Sequence, residues 1–267
     1  MARPEAVTAA GQLLLSRLVE LLRAEPLVLA AWLYGSHGRG EADAYSDLDV
    51  WVVAEDVPGL LARWPELAAG LGPLAHVEPM RGMTGFRHVL PDWTCLDVWI
   101  SPRTAIDSRD AGAVRLLFDR AGVGGELPAA TPAPAPAVDK AVGLTSEFLR
   151  TLGHLPAVLA RGDVLYGASL AQVLRLTLIE LMLCDLRLAD PGGASSQYRR
   201  LPADRRAALL ALPVIGNDLD SIRAAQLACA ELFLPLARTL CGARFPDQLC
   251  QALAGWLGRE LGVRLPG

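Results

Sequence analysis

Lysine is almost missing from this chain. Lys140 is the only one, arginine supplies every other basic side chain, and the 267 residues carry a net charge of −4. A protein that follows a nucleic-acid backbone needs a basic track for the phosphates. The charge balance argues against one, so no nucleic-acid partner is expected and a small-molecule or protein acceptor is favoured. Paired cysteines are also lacking. Cys95, Cys184, Cys229, Cys241 and Cys250 are odd in number, and no two have the spacing of a metal or redox pair. They read as free, mostly buried thiols in a reducing compartment. His76, His88 and His154 are scattered without ligand spacing and read as structural or surface residues. A charged start followed by an apolar stretch and a cleavage site is not evident, nor is an uninterrupted apolar run of bilayer length. A cytoplasmic protein without a membrane partner is therefore expected. There is no internal repeat.

What is present is apolar and strongly patterned. At 52% apolar residues the chain is globular and long enough for two compact domains or one large one. Between residues 122 and 138 the composition turns to glycine, alanine and proline, with Glu126 as the one charge before the run's end. This marks a stiff linker, so the reading is a first domain over 1–121, a linker over 122–138 and a second domain over 139–267. The first domain reads as helix (Val7 to Arg23), strand, turn, strand, helix (Leu60 to Leu71) and three short strands near His76 to Met80, Phe86 to Leu90 and Thr94 to Ile100. That order fits a mixed sheet with helices packed on it. The second domain reads as all helical, over Asp139 to Leu152, Asp163 to Leu188, Asp204 to Leu212, Asp218 to Leu240 and Asp247 to Leu261, with breaks at Pro191-Gly192-Gly193 and Pro213. Asp139, Asp163, Asp204 and Asp247 stand where N-caps would. The fold class is α+β, followed by an all-α part.

The most informative stretch runs from Trp32 to Val53. An apolar strand, Leu27 to Tyr34, ends at Gly35-Ser36, with Gly38 and Gly40 close behind. Glycines without Cβ atoms allow close backbone approach, and successive N–H groups in such a turn suit phosphate. A second strand, Ser46 to Val53, carries Asp47 and Asp49 two residues apart, which places both carboxylates on one face. Side by side they repel unless a cation lies between them, and hard oxygen ligands beside a phosphate cradle suggest Mg²⁺ and a nucleotide. Asp97 sits between apolar neighbours in a strand of its own. It is either an acid of the same site or an exposed residue of an alternating strand. Asp92, after Pro91, reads as turn chemistry.

The Gly35-Ser36 turn, ten residues, and then Asp47-Leu48-Asp49 within an apolar strand, with Arg39, Gly40 and Ser46 in register, resembles the DNA polymerase β-like nucleotidyltransferase superfamily. Within it, the bacterial branch of antibiotic (aminoglycoside and lincosamide) nucleotidyltransferases is the most similar. Gly38 and His37 depart from the residues many members carry there. The resemblance implies a polymerase β-like domain in which Asp47, Asp49 and Asp97 are catalytic and hold one or two Mg²⁺ ions. Gly35, Ser36, Arg39 and Ser46 would bind the nucleoside triphosphate, expected to be ATP. The implied activity is transfer of a nucleoside monophosphate to a hydroxyl of a small molecule, with pyrophosphate released. The alternatives are modification of a protein partner, as by nucleotidyltransferase antitoxins, and a catalytically silent nucleotide-binding module.

In the helical part, Glu180 lies among Leu178, Ile179, Leu181 and Met182 on an almost wholly apolar helix. A carboxylate there needs a partner or a wet cleft. It is therefore either ion-paired within the domain, to Arg175, Arg187 or an arginine of another helix, or part of the acceptor pocket. Tyr166 is read as a second acceptor-pocket candidate on the same helix. Gln197-Tyr198-Arg199-Arg200 reads as a basic loop, and Trp51 and Trp99 as core.

Overall fold

The computed structural model describes residues 9–108, 110–129, 135, 137–188 and 194–266. The chain divides into two compact units, Met1–Pro132 and Ala133–Gly267.

The first unit is built on a six-stranded mixed sheet in the order β3-β4-β5-β2-β1-β6. Its strands are β1 (Val28–Leu33), β2 (Leu48–Ala54), β3 (His76–Pro79), β4 (Gly85–Val89), β5 (Cys95–Pro102) and β6 (Arg115–Asp119). Only β2 and β5 pair in parallel; every other neighbouring pair is antiparallel. The helices are α1 (Ala9–Ala24), a single turn α2 (Gly35–Gly38) and α3 (Val57–Ala69).

Strand alternation gives the sheet two different faces. Leu33, Val50, Val52, Leu96, Val98 and Ile100 point to one, where Leu14, Leu18 and Leu22 of α1 and Leu60, Trp64 and Ala68 of α3 meet them. Each helix offers residues at i, i+4 and i+8, the stripe that an amphipathic helix buries. The second face carries Trp32, Trp51 and Val53, packed with Ile106 and Val123. Trp32, Trp51 and Trp99 are register partners across β1, β2 and β5, with ring centroids 4.9 and 5.7 Å apart. Asp49 and Asp97, two residues before Trp51 and Trp99, belong to this second face.

The sequence reading misses β6, a short run that completes the sheet beside β1. Part of the expected linker also belongs to the first unit. Val123–Glu126 forms a 3-10 turn, Val123 is fully buried, and Asp119 Oδ2 accepts from the Gly124 N–H at 2.8 Å. The segment 130–134 and residue 136 of that linker, the break at 191–193 and Val7 lie outside the described residues.

The second unit is helical: α4 (Val138–Leu152), α5 (Leu155–Arg161), α6 (Val164–Leu186), α7 (Ala194–Arg200), α8 (Ala203–Leu210), α9 (Leu219–Cys241) and α10 (Asp247–Leu261). Its core joins Phe148, Leu152, Leu174, Leu178, Leu181, Phe233 and Leu234, and Phe148 stacks on Phe233 at 3.8 Å. Helices α5 and α7 were not expected, and the basic segment ending at Arg200 is helix rather than loop. Of the four expected caps only Asp163 accepts a first-turn N–H, from Tyr166. Asp139, Asp204 and Asp247 stand inside the first turns of their helices, where a negative charge favours the positive end of the helix. Two segments, Val164–Leu186 and Leu219–Arg244, are long and apolar enough to cross a membrane by length and composition, although neither is an uninterrupted apolar run: Arg175 and Glu180 break the first, and Arg223, Glu231 and Arg238 the second. They owe that composition to their place at the centre of the second core.

Candidate active site

One crosswise level of the second sheet face gathers the chemistry. From β1 outward, the Tyr34 N–H donates to the Asp49 carbonyl at 2.9 Å. Asp49 is the parallel register partner of Asp97, and Asp97 is the antiparallel partner of Arg87. Register partners project to the same side of a sheet, so Asp49, Asp97 and Arg87 form a row along the edge of the tryptophan layer. The register of three strands sets this row; no spacing within one segment does.

The glycine turn closes the row at the β1 end. Gly35 has φ +62°, and a Cβ built on it would lie 2.1 Å from Asp49 Oδ2. Only glycine lets that carboxylate rest against the turn, and only glycine adopts the left-handed backbone without strain. Gly38 is equally constrained: a Cβ there would meet the Ala113 carbonyl oxygen at 2.4 Å. This contact with backbone accounts for glycine at position 38.

Around the turn, two of the expected nucleotide-binding side chains are occupied locally. Arg39 Nε donates to Glu41 at 2.9 Å. Ser46 Oγ accepts from the Asp43 N–H at 2.9 Å and donates to Asp43 Oδ1 at 3.1 Å, which shapes the loop leading into β2. Ser36 is half-buried, and its carbonyl accepts from the Glu41 N–H at 2.8 Å. The His37 ring is buried and its Nε2 has no partner among the described residues; burial lowers its pKa.

Asp47 stands one residue ahead of β2 and is exposed. Its neighbour is the Cys95 thiol, whose pKa is pushed up first by burial and then by the Asp47 charge. A cavity of about 640 Å³ opens beside them, lined in part by Tyr45, Asp47, Asp92, Trp93 and Cys95. Tyr45 and Trp93 are 96% and 81% exposed, so two aromatic faces flank this opening. Asp92 accepts from the Thr94 N–H at 3.0 Å and caps the turn, the role expected of it.

Asp97 is buried, and both its oxygens are taken by one guanidinium. Arg87 Nε donates to Oδ1 at 3.0 Å and an Nη to Oδ2 at 2.8 Å. These bonds raise the Arg87 pKa. Arg87 was missed in the sequence, where it is merely a charged residue of a short strand.

Among the described residues, no set of three or more His, Cys, Asp or Glu side chains is gathered as metal ligands. Mg²⁺, however, is commonly held by one or two carboxylates, with substrate phosphates and water filling the octahedron. Asp47 and Asp49 fit an ion of that kind. The Asp97 oxygens, the third pair expected there, are engaged by Arg87.

The two candidates for acceptor contact are on α6. Glu180 is exposed and lies 3.7 Å from Lys140 of α4, so its partner is a lysine rather than an arginine and no buried charge has to be accommodated. Tyr166 is 44% exposed, with His154 edge-on at 6.0 Å. The two residues are fourteen positions apart on the helix, about 21 Å of rise, too far for one compact molecule to touch both. His88, by contrast, is plainly structural: its Nε2 accepts from Trp64 Nε1 at 3.0 Å and its Nδ1 donates to the Leu96 carbonyl at 3.1 Å.

Residues 15–69 match the family described as Nucleotidyltransferase domain. No curated protein matches the sequence. Among solved structures, an aminoglycoside 6-adenyltransferase from Bacillus subtilis is similar at 12% identity and a TM-score of 0.40, over 93% of this chain and 98% of that one. A nucleotidyltransferase-like protein from Exiguobacterium sibiricum is similar at 12% identity and a TM-score of 0.37, over 94% and 88%. The matched segment runs from within α1 through the glycine turn, Asp47, Asp49 and the rest of β2 to the end of α3.

Proposed function

We propose that the protein transfers a nucleoside monophosphate from a nucleoside triphosphate, ATP first among them, to a hydroxyl of a small cytoplasmic molecule. The observation that carries this reading is the placement of Asp49 directly against the Gly35 turn, with Asp97 one strand away. Asp47 and Asp49 would hold the Mg²⁺, which when bound neutralises triphosphate charge and fixes the phosphates for displacement. The N–H groups of the Gly35-Ser36 turn would receive the terminal phosphates. Tyr45 and Trp93, beside Asp47, offer flat faces to a base or sugar ring. The acceptor oxygen bonds to the α-phosphorus as the bond to the pyrophosphate oxygen breaks. The hydroxyl proton leaves toward the acid row, where Asp97 is the carboxylate beside Asp49.

Aminoglycoside- and lincosamide-like molecules are the first acceptors to test, on the strength of the sequence resemblance. Calorimetry should show ATP binding that requires Mg²⁺ or Mn²⁺ and disappears in Asp47→Asn/Asp49→Asn. Binding of equal strength in the presence of a chelator would overturn the metal assignment. Labelled triphosphates offered with a panel of acceptors then identify the product.

A further inference from the structure

Arg87 occupies an unusual position in the acid row. Among the described residues it is the one cation hydrogen-bonded to Asp97; it grips both carboxylate oxygens, and yet its own side chain is 48% exposed. A fork of this kind matches a carboxylate in plane and in two bonds at once, which makes it a strong competitor for any other cation. Glu78 lies on the other side. It is the β3 partner of Arg87, its Oε1 is 3.9 Å from an Arg87 nitrogen, and it is itself half-exposed. A cavity of about 360 Å³ lined by Glu78, Met80, Arg81, Met83 and Arg87 leaves the guanidinium room to move. The guanidinium thus has one carboxylate in its grip and a second within reach.

We infer that Arg87 is a positioning residue that keeps Asp97 out of the metal-ligand set. With Arg87 in place the row presents Asp47 and Asp49 to one divalent cation. Asp97 becomes available to a second cation, or to a proton, only when Arg87 turns toward Glu78. This inference rests on the nucleotidyltransferase reading of the same site, because it presumes that Asp49 meets the metal.

The test is Mn²⁺ binding to the full chain, followed by calorimetry and by the Mn²⁺ electron-spin signal, with no turnover involved. Arg87→Met is expected to bind Mn²⁺ about tenfold more tightly than the unmodified protein, the scale on which groups hydrogen-bonded to metal ligands act. The gain is expected to vanish in Arg87→Met/Asp97→Asn. Arg87→Lys keeps the charge without the fork and should show a smaller gain. Thermal melts confirm that each variant is folded, and the exposure of Arg87 favours that outcome. An unchanged or weaker Mn²⁺ affinity in Arg87→Met overturns the inference. So does a gain that survives in the double variant, because relief of charge repulsion alone would then explain it. Asp49→Asn separates the two readings: if it binds Mn²⁺ normally, the metal assignment at the paired acids fails, whereas the Arg87 result stands or falls on its dependence on Asp97.

Discussion

Replacing Gly35 by alanine tests the geometry on which the site depends. Two costs are involved. An alanine held at φ +62° pays the left-handed penalty of about 1–2 kcal/mol. Its Cβ would also lie 2.1 Å from Asp49 Oδ2 and 2.9 Å from Cγ, so the carboxylate must rotate away, at about 0.5–1.5 kcal/mol for a side chain forced off its rotamer. The smaller entropy of the unfolded alanine chain returns about 0.5 kcal/mol. The net loss expected is about 2 kcal/mol. Urea unfolding followed by tryptophan fluorescence suits the measurement, because Trp32, Trp51, Trp64, Trp93 and Trp99 are in the first unit and only Trp256 is in the second. The decisive comparison is a double-mutant cycle. In an Asp49→Ala background the clash with the carboxylate is gone, and Gly35→Ala should cost only its backbone share, about 1 kcal/mol, leaving a coupling of similar size. An identical cost in both backgrounds would refute the contact between the turn and Asp49, and with it the argument for glycine at this position.

Two further outcomes follow from particular side chains. His88 and His37 are buried, and burial lowers both pKa values from the ordinary 6.5. Each therefore contributes stability that is complete above about pH 6.5 and is lost as pH falls toward the folded-state value, since the unfolded chain then binds more protons. The urea midpoint should drop between pH 7.5 and 5, and less steeply in His88→Gln; an unchanged slope in that variant would remove His88 from the effect. Glu180→Gln should shift stability by less than about 1 kcal/mol, because the pair with Lys140 is exposed and such pairs contribute little. A large loss would mean that the carboxylate is held more tightly than its exposure indicates, while weaker acceptor binding without such a loss would assign it to the acceptor pocket.

Local chemistry made much of the first unit readable from sequence. Strand alternation, the glycines after Tyr34 and the Asp47-Leu48-Asp49 spacing are properties of contiguous residues, so the β1–turn–β2 unit and the face shared by its acids could be worked out from the sequence. The caps were less readable, because an aspartate near a helix start serves equally well in the first turn, as Asp139, Asp204 and Asp247 do. Glu180 looked buried because α6 is apolar almost all round. Composition does not say which side of such a helix meets the core, and apolar residues such as Leu165 and Leu176 are left exposed elsewhere along it.

Pairing between distant strands was decided by the tertiary structure alone. The parallel register of β2 and β5 sets Asp49 beside Asp97, and the antiparallel register of β5 and β4 adds Arg87. A slip of one residue in either pairing would send these side chains to the opposite face, and no local pattern specifies that register. The sequence therefore determined the Gly35 turn and the strand that brings Asp49 against it. Long-range packing determined that one of the three acids meets the site already bound to an arginine.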